Sequence, residues 1–114
     1  MITKQLADTG IMKNPHNVDA RNLYNTPDAK ITVITLDPGQ RLRRHITPVD
    51  VAFYVLSGTG VVEIGDEKQE VTADTLVQSP QKIVHCWYNE SDKPLRFLVI
   101  KAPRPTEKTT FLDE

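Results

Sequence analysis

The chain has one cysteine, no long apolar run and almost no excess charge. Its single cysteine, Cys86, has no partner for an internal disulfide, as is typical of proteins from a reducing cytoplasm. No stretch approaches the roughly 20 apolar residues that cross a bilayer, and the N-terminus lacks the apolar run of a signal peptide. We therefore expect a cytoplasmic protein with no membrane partner.

The charged residues exclude a second class of partner. The chain carries 14 Lys and Arg against 15 Asp and Glu, and they are scattered along the sequence. Only Arg41, Arg43 and Arg44 cluster, and a solvated strand edge accounts for three arginines as well as a nucleic-acid surface does. We therefore expect no polynucleotide partner.

The hydrophobic pattern predicts a single all-β domain. With 114 residues, 39% of them hydrophobic, the chain is long enough for one globular domain and its core. From Lys30 onward, short apolar runs alternate with turn signals every five to ten residues, which predicts about eight strands in an antiparallel sandwich or barrel. Residues 1–29 are predicted to form an N-terminal arm, 30–102 the barrel and 103–114 a tail.

Two histidines lie in similar settings, each preceded by a turn and followed by an apolar strand. His45 is flanked by Pro38, Gly39 and Gly58, and His85 by Pro80 and Asn89. This spacing resembles the two motifs of the cupin superfamily over roughly residues 30–102. The resemblance implies a small double-stranded β-helix or jelly-roll barrel, usually with a metal ion inside.

Two of the four ligand positions of that family pattern differ in this chain. Thr47 stands where the resemblance places a second histidine, and Val51 stands where it places a glutamate. Asp74 and Lys82 replace two glycines of the second motif. The resemblance is therefore strong for the fold and incomplete for the metal site.

The histidines suggest a metal site that needs another donor. His45 and His85 would bind one divalent ion, such as Zn, Ni, Fe, Cu or Mn, but two imidazoles alone make a weak site. Three side chains are candidates for the third donor, namely Thr47, Asp50 and His16. We favour His16, from an N-terminal turn, as the third ligand. Alternatively, His45 and His85 are hydrogen-bonded barrel histidines.

Residues that share the strand faces of the two histidines are predicted to line a pocket. They are Thr47, Val51, Phe53, Val55 and Trp87, with Arg43 near the mouth. Trp87 offers a surface on which a ring can stack.

Three functions remain open. One is a metal-dependent isomerase, lyase or dioxygenase that acts on a small molecule. Another is a non-catalytic barrel that binds a sugar or small acid, with or without metal, and the third is a structural dimer with a vestigial pocket. Under each, the apolar residues on both faces of the strand Ile31–Leu36 predict a homodimer.

Overall fold

The computed structural model describes residues 1–112 and folds into two five-stranded antiparallel sheets. The one helical element of these residues is a 3₁₀ turn at Leu6–Asp8, which is too short to cross a membrane. The strands are β1 (Asp19–Thr26), β2 (Ala29–Leu36), β3 (Arg41–Ile46), β4 (Val51–Ser57), β5 (Thr59–Ile64), β6 (Glu67–Thr72), β7 (Leu76–Ser79), β8 (Val84–Tyr88), β9 (Leu95–Lys101) and β10 (Thr110–Phe111).

The strand order is that of a jelly-roll sandwich. The first sheet runs β1-β2-β9-β4-β7 and the second β10-β3-β8-β5-β6, with every neighbouring pair antiparallel. The all-β, cupin-type double-stranded β-helix predicted from the sequence is confirmed. Eight strands, β2 to β9, lie between residues 29 and 101, and β1 and β10 add one strand each to the outer edges.

Aromatic side chains fill the core between the sheets at one end of the barrel. Trp87 and Phe97 stack with ring centroids 4.4 Å apart, and Phe53 meets Trp87 edge to face. Alternate residues of each strand face this core because side chains point to opposite faces of a sheet. Cys86, next to Trp87, is buried with no disulfide partner; the cytoplasmic location that it suggests stays a prediction.

The arm and the tail fold against the opposite end of the barrel. The Met12 amide donates to the carbonyl of Ala20, and the Arg43 amide of β3 donates to the His16 side chain. From the tail, Phe111 pairs with His45 in β3. The last two residues of the predicted tail, 113 and 114, lie outside the described residues. Both chain ends therefore contribute to the same end of the barrel as the histidines.

Candidate functional site

A cavity of about 440 Å³ opens between the sheets at the histidine end. The barrel contributes strands from both sheets, the arm contributes Met12 to His16, and the tail contributes Lys108, Thr109 and Phe111. This volume falls within the range of small-molecule sites in proteins, roughly 300–1,000 Å³. The cavity is therefore large enough for a small organic ligand.

His45 and His85 lie side by side in the cavity wall. They are cross-strand partners on β3 and β8, and their Nε2 atoms are 2.9 Å apart. A register shift in β3 between Leu42 and His45 accompanies this pairing. Both side chains are buried, at 7% and 2% exposure, so each polar ring atom needs a partner.

The outer nitrogen of each ring has such a partner. His45 Nδ1 lies 2.5 Å from the Arg43 carbonyl oxygen, and His85 Nδ1 lies 2.6 Å from Ser79 Oγ. Because a carbonyl only accepts, His45 Nδ1 carries the hydrogen, and a neutral His45 then presents a bare Nε2. Two bare nitrogens would repel each other at 2.9 Å, so beside a neutral His45 a neutral His85 carries its hydrogen on Nε2 and donates it to His45 Nε2, while its Nδ1 accepts the Ser79 hydroxyl hydrogen.

Burial keeps two of the three histidines neutral at pH 7. The pKa of His85 is lowered from 6.5 to about 3, first by burial and then by positive charge on His45, Lys101 and His16. The pKa of His16 is also lowered to about 3, again by burial first and then by His45, Arg43 and Lys101. Neutral imidazole is the form that binds metals and that both donates and accepts hydrogen bonds.

His16 lies beside the pair in a different hydrogen-bonding state. Its ring centroid is 4.9 Å from that of His45, and its Nδ1 accepts the Arg43 amide hydrogen at 2.8 Å. A neutral His16 with Nδ1 as acceptor carries its hydrogen on Nε2. Metal binding by His16 would require this hydrogen bond to break.

The residues of the site can supply two of the ligands of a single metal ion. Nitrogens bound at about 2.0–2.1 Å to adjacent positions of one ion lie roughly 2.9–3.4 Å apart, which matches the His45–His85 pair. Their Nδ1 partners would orient the rings from behind, as is common for metal-bound histidines. In residues 1–112, however, no three His, Cys, Asp or Glu side chains are arranged to hold a metal. Asp50 is turned away and accepts the Gln81 amide hydrogen.

The predicted pocket residues divide between the cavity and the core. Val51 and Phe53 line the cavity, whereas Val55 and Trp87 lie in the hydrophobic core at 0% exposure. Residues on one face of a strand share a direction but not a depth along the barrel axis. Trp87 is therefore unavailable for stacking on a ligand.

Thr47 and Arg43 support the histidines and do not border the cavity. Thr47 is buried, and its hydroxyl lies 3.2 Å from His85 Nε2. Arg43 acts through its backbone, which contacts His16 and His45, while its guanidinium lies 5.1 Å from the centre of the Phe111 ring.

Several residues of the site were not predicted from the sequence. Ser79 supports His85, and its place before Pro80, close to His85 in the sequence, was the available signal. Lys30, Lys101 and Phe111 line the cavity. Lys101 shares the strand parity of Val99, which was the available signal for an inward direction, but the pairing of the tail with β3 had no sequence signal.

Comparison with known proteins agrees with this fold. Residues 32–101 match the family model of the cupin domain. A Thermus thermophilus protein is 28% identical, with a TM-score of 0.79, covering 92% of this chain and 100% of its own. The polyketide cyclase RemF from Streptomyces resistomycificus is 18% identical, with a TM-score of 0.85, and the match covers 100% of this chain and 87% of RemF. An RmlC-like cupin from Methanocaldococcus jannaschii is 22% identical, with a TM-score of 0.73, and the match covers 90% of this chain and 93% of that protein. No curated protein matches. The chain belongs to the cupin family.

Proposed function

We propose that this cupin binds a small organic molecule in the cavity above His45 and His85, without requiring a metal. The cavity itself carries the proposal, because arm, barrel and tail close around one volume of about 440 Å³. Apolar side chains such as Val51, Phe53 and Val99 form much of its wall, and the two imidazoles add a small polar area. An apolar pocket with a few convergent polar groups is typical of small-molecule sites.

The histidine pair would recognise an oxygen function of the ligand. A ligand oxygen that accepts the His85 Nε2 hydrogen would replace His45 Nε2 as its acceptor. Once His85 donates to the ligand, the Nε2 of a neutral His45 can accept a hydroxyl hydrogen of the same ligand. A hydroxyl or carbonyl group of a sugar or small acid fits such a pair.

A matched pair of threonines on β2 offers a test. Thr32 lines the cavity, whereas Thr35 lies on the opposite face of the same strand. Tryptophan fits a strand well, so Thr32→Trp should fill the cavity and Thr35→Trp should leave it open.

Binding would be measured by amide chemical shifts during titration with a library of acidic, basic and neutral fragments. We expect fragments that shift cavity residues of the native protein and of Thr35→Trp, but not of Thr32→Trp. A library in which nothing binds, or binding that survives Thr32→Trp, would overturn the proposal.

A metal-binding cupin is the second candidate, favoured by the 2.9 Å between the two Nε2 atoms. A divalent ion held by His45 and His85 would polarise a carbonyl of the substrate, the chemistry of metal-dependent isomerases, lyases and dioxygenases. Thr47 offers only a neutral hydroxyl nearby, so water or the ligand would complete the coordination.

Metal analysis of tag-free protein separates the two candidates. The metal candidate requires about one Zn, Ni, Cu, Fe or Mn per chain, lost in both His45→Gln and His85→Gln. His16→Gln is the matched control, and its retention of metal would place His16 outside the coordination sphere. Absence of stoichiometric metal after loading would leave the metal-free site as the function.

We also propose a homodimer formed through the outer face of the first sheet. Ile31, Leu98 and Ile100 alternate with the cavity-facing residues of β2 and β9 and are only partly buried. Leu76 on the edge strand β7 is 55% exposed. Equilibrium sedimentation at micromolar concentration should give twice the chain mass, and the mass of one chain would contradict the dimer.

A further inference from the structure

Lysines surround the cavity, and no acidic residue of the described chain lines it. The lysine rim comprises Lys13, Lys30, Lys101 and Lys108, from the arm, β2, β9 and the tail respectively. The remaining lining residues of the described chain are apolar side chains, neutral polar side chains and the three histidines. The rim therefore places up to four positive charges around a pocket whose described walls supply no compensating carboxylate.

Two members of the lysine rim lie directly opposite each other. Lys30 and Lys101 are cross-strand partners on β2 and β9, and both side chains face the cavity. Like charges in this position destabilise a sheet. Burial lowers the pKa of Lys101, and the charge of Lys30 lowers it further. The pair thus raises the free energy of the folded protein when nothing neutralises it.

Two cations elsewhere in the described chain lie within ion-pair distance of a carboxylate. Arg21 bonds Asp19 at 3.1 Å, and Lys68 lies 4.0 Å from Glu63. Within residues 1–112, the structure gives no hydrogen bond or ion pair to the side chain of any member of the lysine rim. An unfavourable arrangement without a structural partner is typical of a functional site.

We propose that the ligand of this cavity is a small organic anion, whose carboxylate or phosphate group is held by Lys30 and Lys101 while its apolar body packs on Phe53 and Val99. This inference rests on the proposed function and adds the chemical class of the ligand. The histidine pair would then contact a second oxygen function of the same molecule.

The partly buried position of Lys101 makes the preference for an anion strong. A charge pair in a pocket of low dielectric constant attracts more strongly than the same pair in water. The ammonium group is already partly desolvated in the folded protein, so a ligand anion regains interactions that water no longer supplies. A neutral ligand of the same shape leaves the two ammonium groups facing each other.

Three probes of similar shape isolate the effect of charge: benzoate, phenyl phosphate and the uncharged benzamide. Titration at pH 7 in low salt, followed by amide shifts of the full chain, gives each dissociation constant. We expect at least one anion to bind about tenfold or more tightly than benzamide, the scale of one charge-assisted contact. The tighter anion identifies carboxylate or phosphate as the head group.

Variants in which one lysine is replaced by an uncharged residue test which positive charges bind the anion. Lys101→Gln and Lys30→Gln should each weaken anion binding roughly tenfold and leave benzamide binding within about twofold. Lys93→Gln makes the same change in net charge at an exposed turn outside the cavity, and it should leave all three dissociation constants unchanged.

The outcomes separate this inference from the proposed function. Benzamide binding as tightly as both anions, with loss of binding in Thr32→Trp, would overturn the anion preference and support the cavity site. Equal losses in Lys93→Gln and Lys101→Gln would also overturn it, because net charge alone would then explain the effect. Failure of all three probes and of the fragment library would overturn both proposals.

Discussion

The two ends of the barrel are built from the same strands but serve different purposes. On β8, His85 faces the cavity, whereas Trp87, two residues later, is fully buried in the core. On β9, Lys101 lines the cavity, whereas Phe97 stacks on Trp87. One end is closely packed, and the other encloses a cavity lined by apolar side chains, histidines and lysines.

This difference separates the sources of stability and of function. The packed end buries large apolar side chains, which supply most of the hydrophobic stabilisation. The cavity end contains the opposed Lys30 and Lys101, which are unfavourable without a ligand. We therefore expect substitutions at the packed end to destabilise the protein, and some at the cavity end to stabilise it while impairing binding.

The largest effect is expected at the packed end. Trp87→Ala removes an indole that packs against Phe53 and Phe97, and it should lower the free energy of unfolding by about 3–5 kcal/mol. Thr32→Ala at the cavity end only enlarges an existing space and should cost less than about 1 kcal/mol. Urea unfolding measures both. Similar decreases in the free energy of unfolding of the two variants would show that the two ends contribute equally to stability.

A pH effect should arise at the cavity end. Unfolded His85 titrates near 6.5 and folded His85 near 3, so the unfolded chain binds more protons between these values. The contribution of neutral His85 to stability is therefore complete above pH 6.5 and is lost as the pH falls towards 3. The slope is roughly 1.4 kcal/mol per pH unit for one group.

Comparison with a variant isolates this term from other groups. Urea unfolding between pH 7.5 and 5 should show stability falling more steeply in the native chain than in His85→Gln. Parallel profiles would mean that His85 retains an ordinary pKa.

A smaller effect of opposite sign is expected at Lys101. Lys101→Met removes one of two opposed charges and keeps a long side chain, so it should raise the free energy of unfolding by about 1 kcal/mol. Lys93→Met, at an exposed turn, should change it by less than about 0.5 kcal/mol. A destabilised Lys101→Met in thermal unfolding would contradict the view that this lysine serves the ligand.

Strand periodicity made the packed end predictable from the sequence. Alternation along residues 51–56 and 95–101 defined the inward face of β4 and β9. The alternation indicates on which face of a sheet a side chain lies, but not how far along the barrel axis it lies. The prediction that Val55 and Trp87 line the pocket is therefore wrong, because both side chains fill the core. Depth depends on how far the opposing sheet extends, which is a property of tertiary packing.

The structure of the cavity end was harder to predict, because it depends on contacts between residues that are far apart in the sequence. His16 meets Arg43 27 positions away, and no local pattern specifies such a pair. The same holds for the two-residue strand β10, which forms only because β3 offers an edge. The family resemblance, together with strand parity, implied that His45 and His85 both face the barrel interior, but the roles of Ser79 and the lysine rim emerged from the folded structure.

The smallest effect is expected where the chain departs from the family glycines. Lys82 and Asp74 stand at two glycine positions of the second motif, and both adopt the left-handed backbone conformation, with φ of 65° and 64°. This conformation costs a lysine roughly 1 kcal/mol, while glycine adds entropy to the unfolded chain. Lys82→Gly should therefore stabilise the protein by only about 0.5 kcal/mol.

Asp74→Gly provides the internal comparison. Aspartate tolerates this conformation better than lysine, and its carboxylate accepts the Tyr54 hydroxyl hydrogen at 2.9 Å. Its removal should bring no gain, or a loss of about 0.5 kcal/mol. Urea midpoints in the order Lys82→Gly, native, Asp74→Gly would show that the family glycines serve the backbone turn and not the site. The reverse order would mean that the Lys82 side chain stabilises the turn in a way that its exposed position does not indicate.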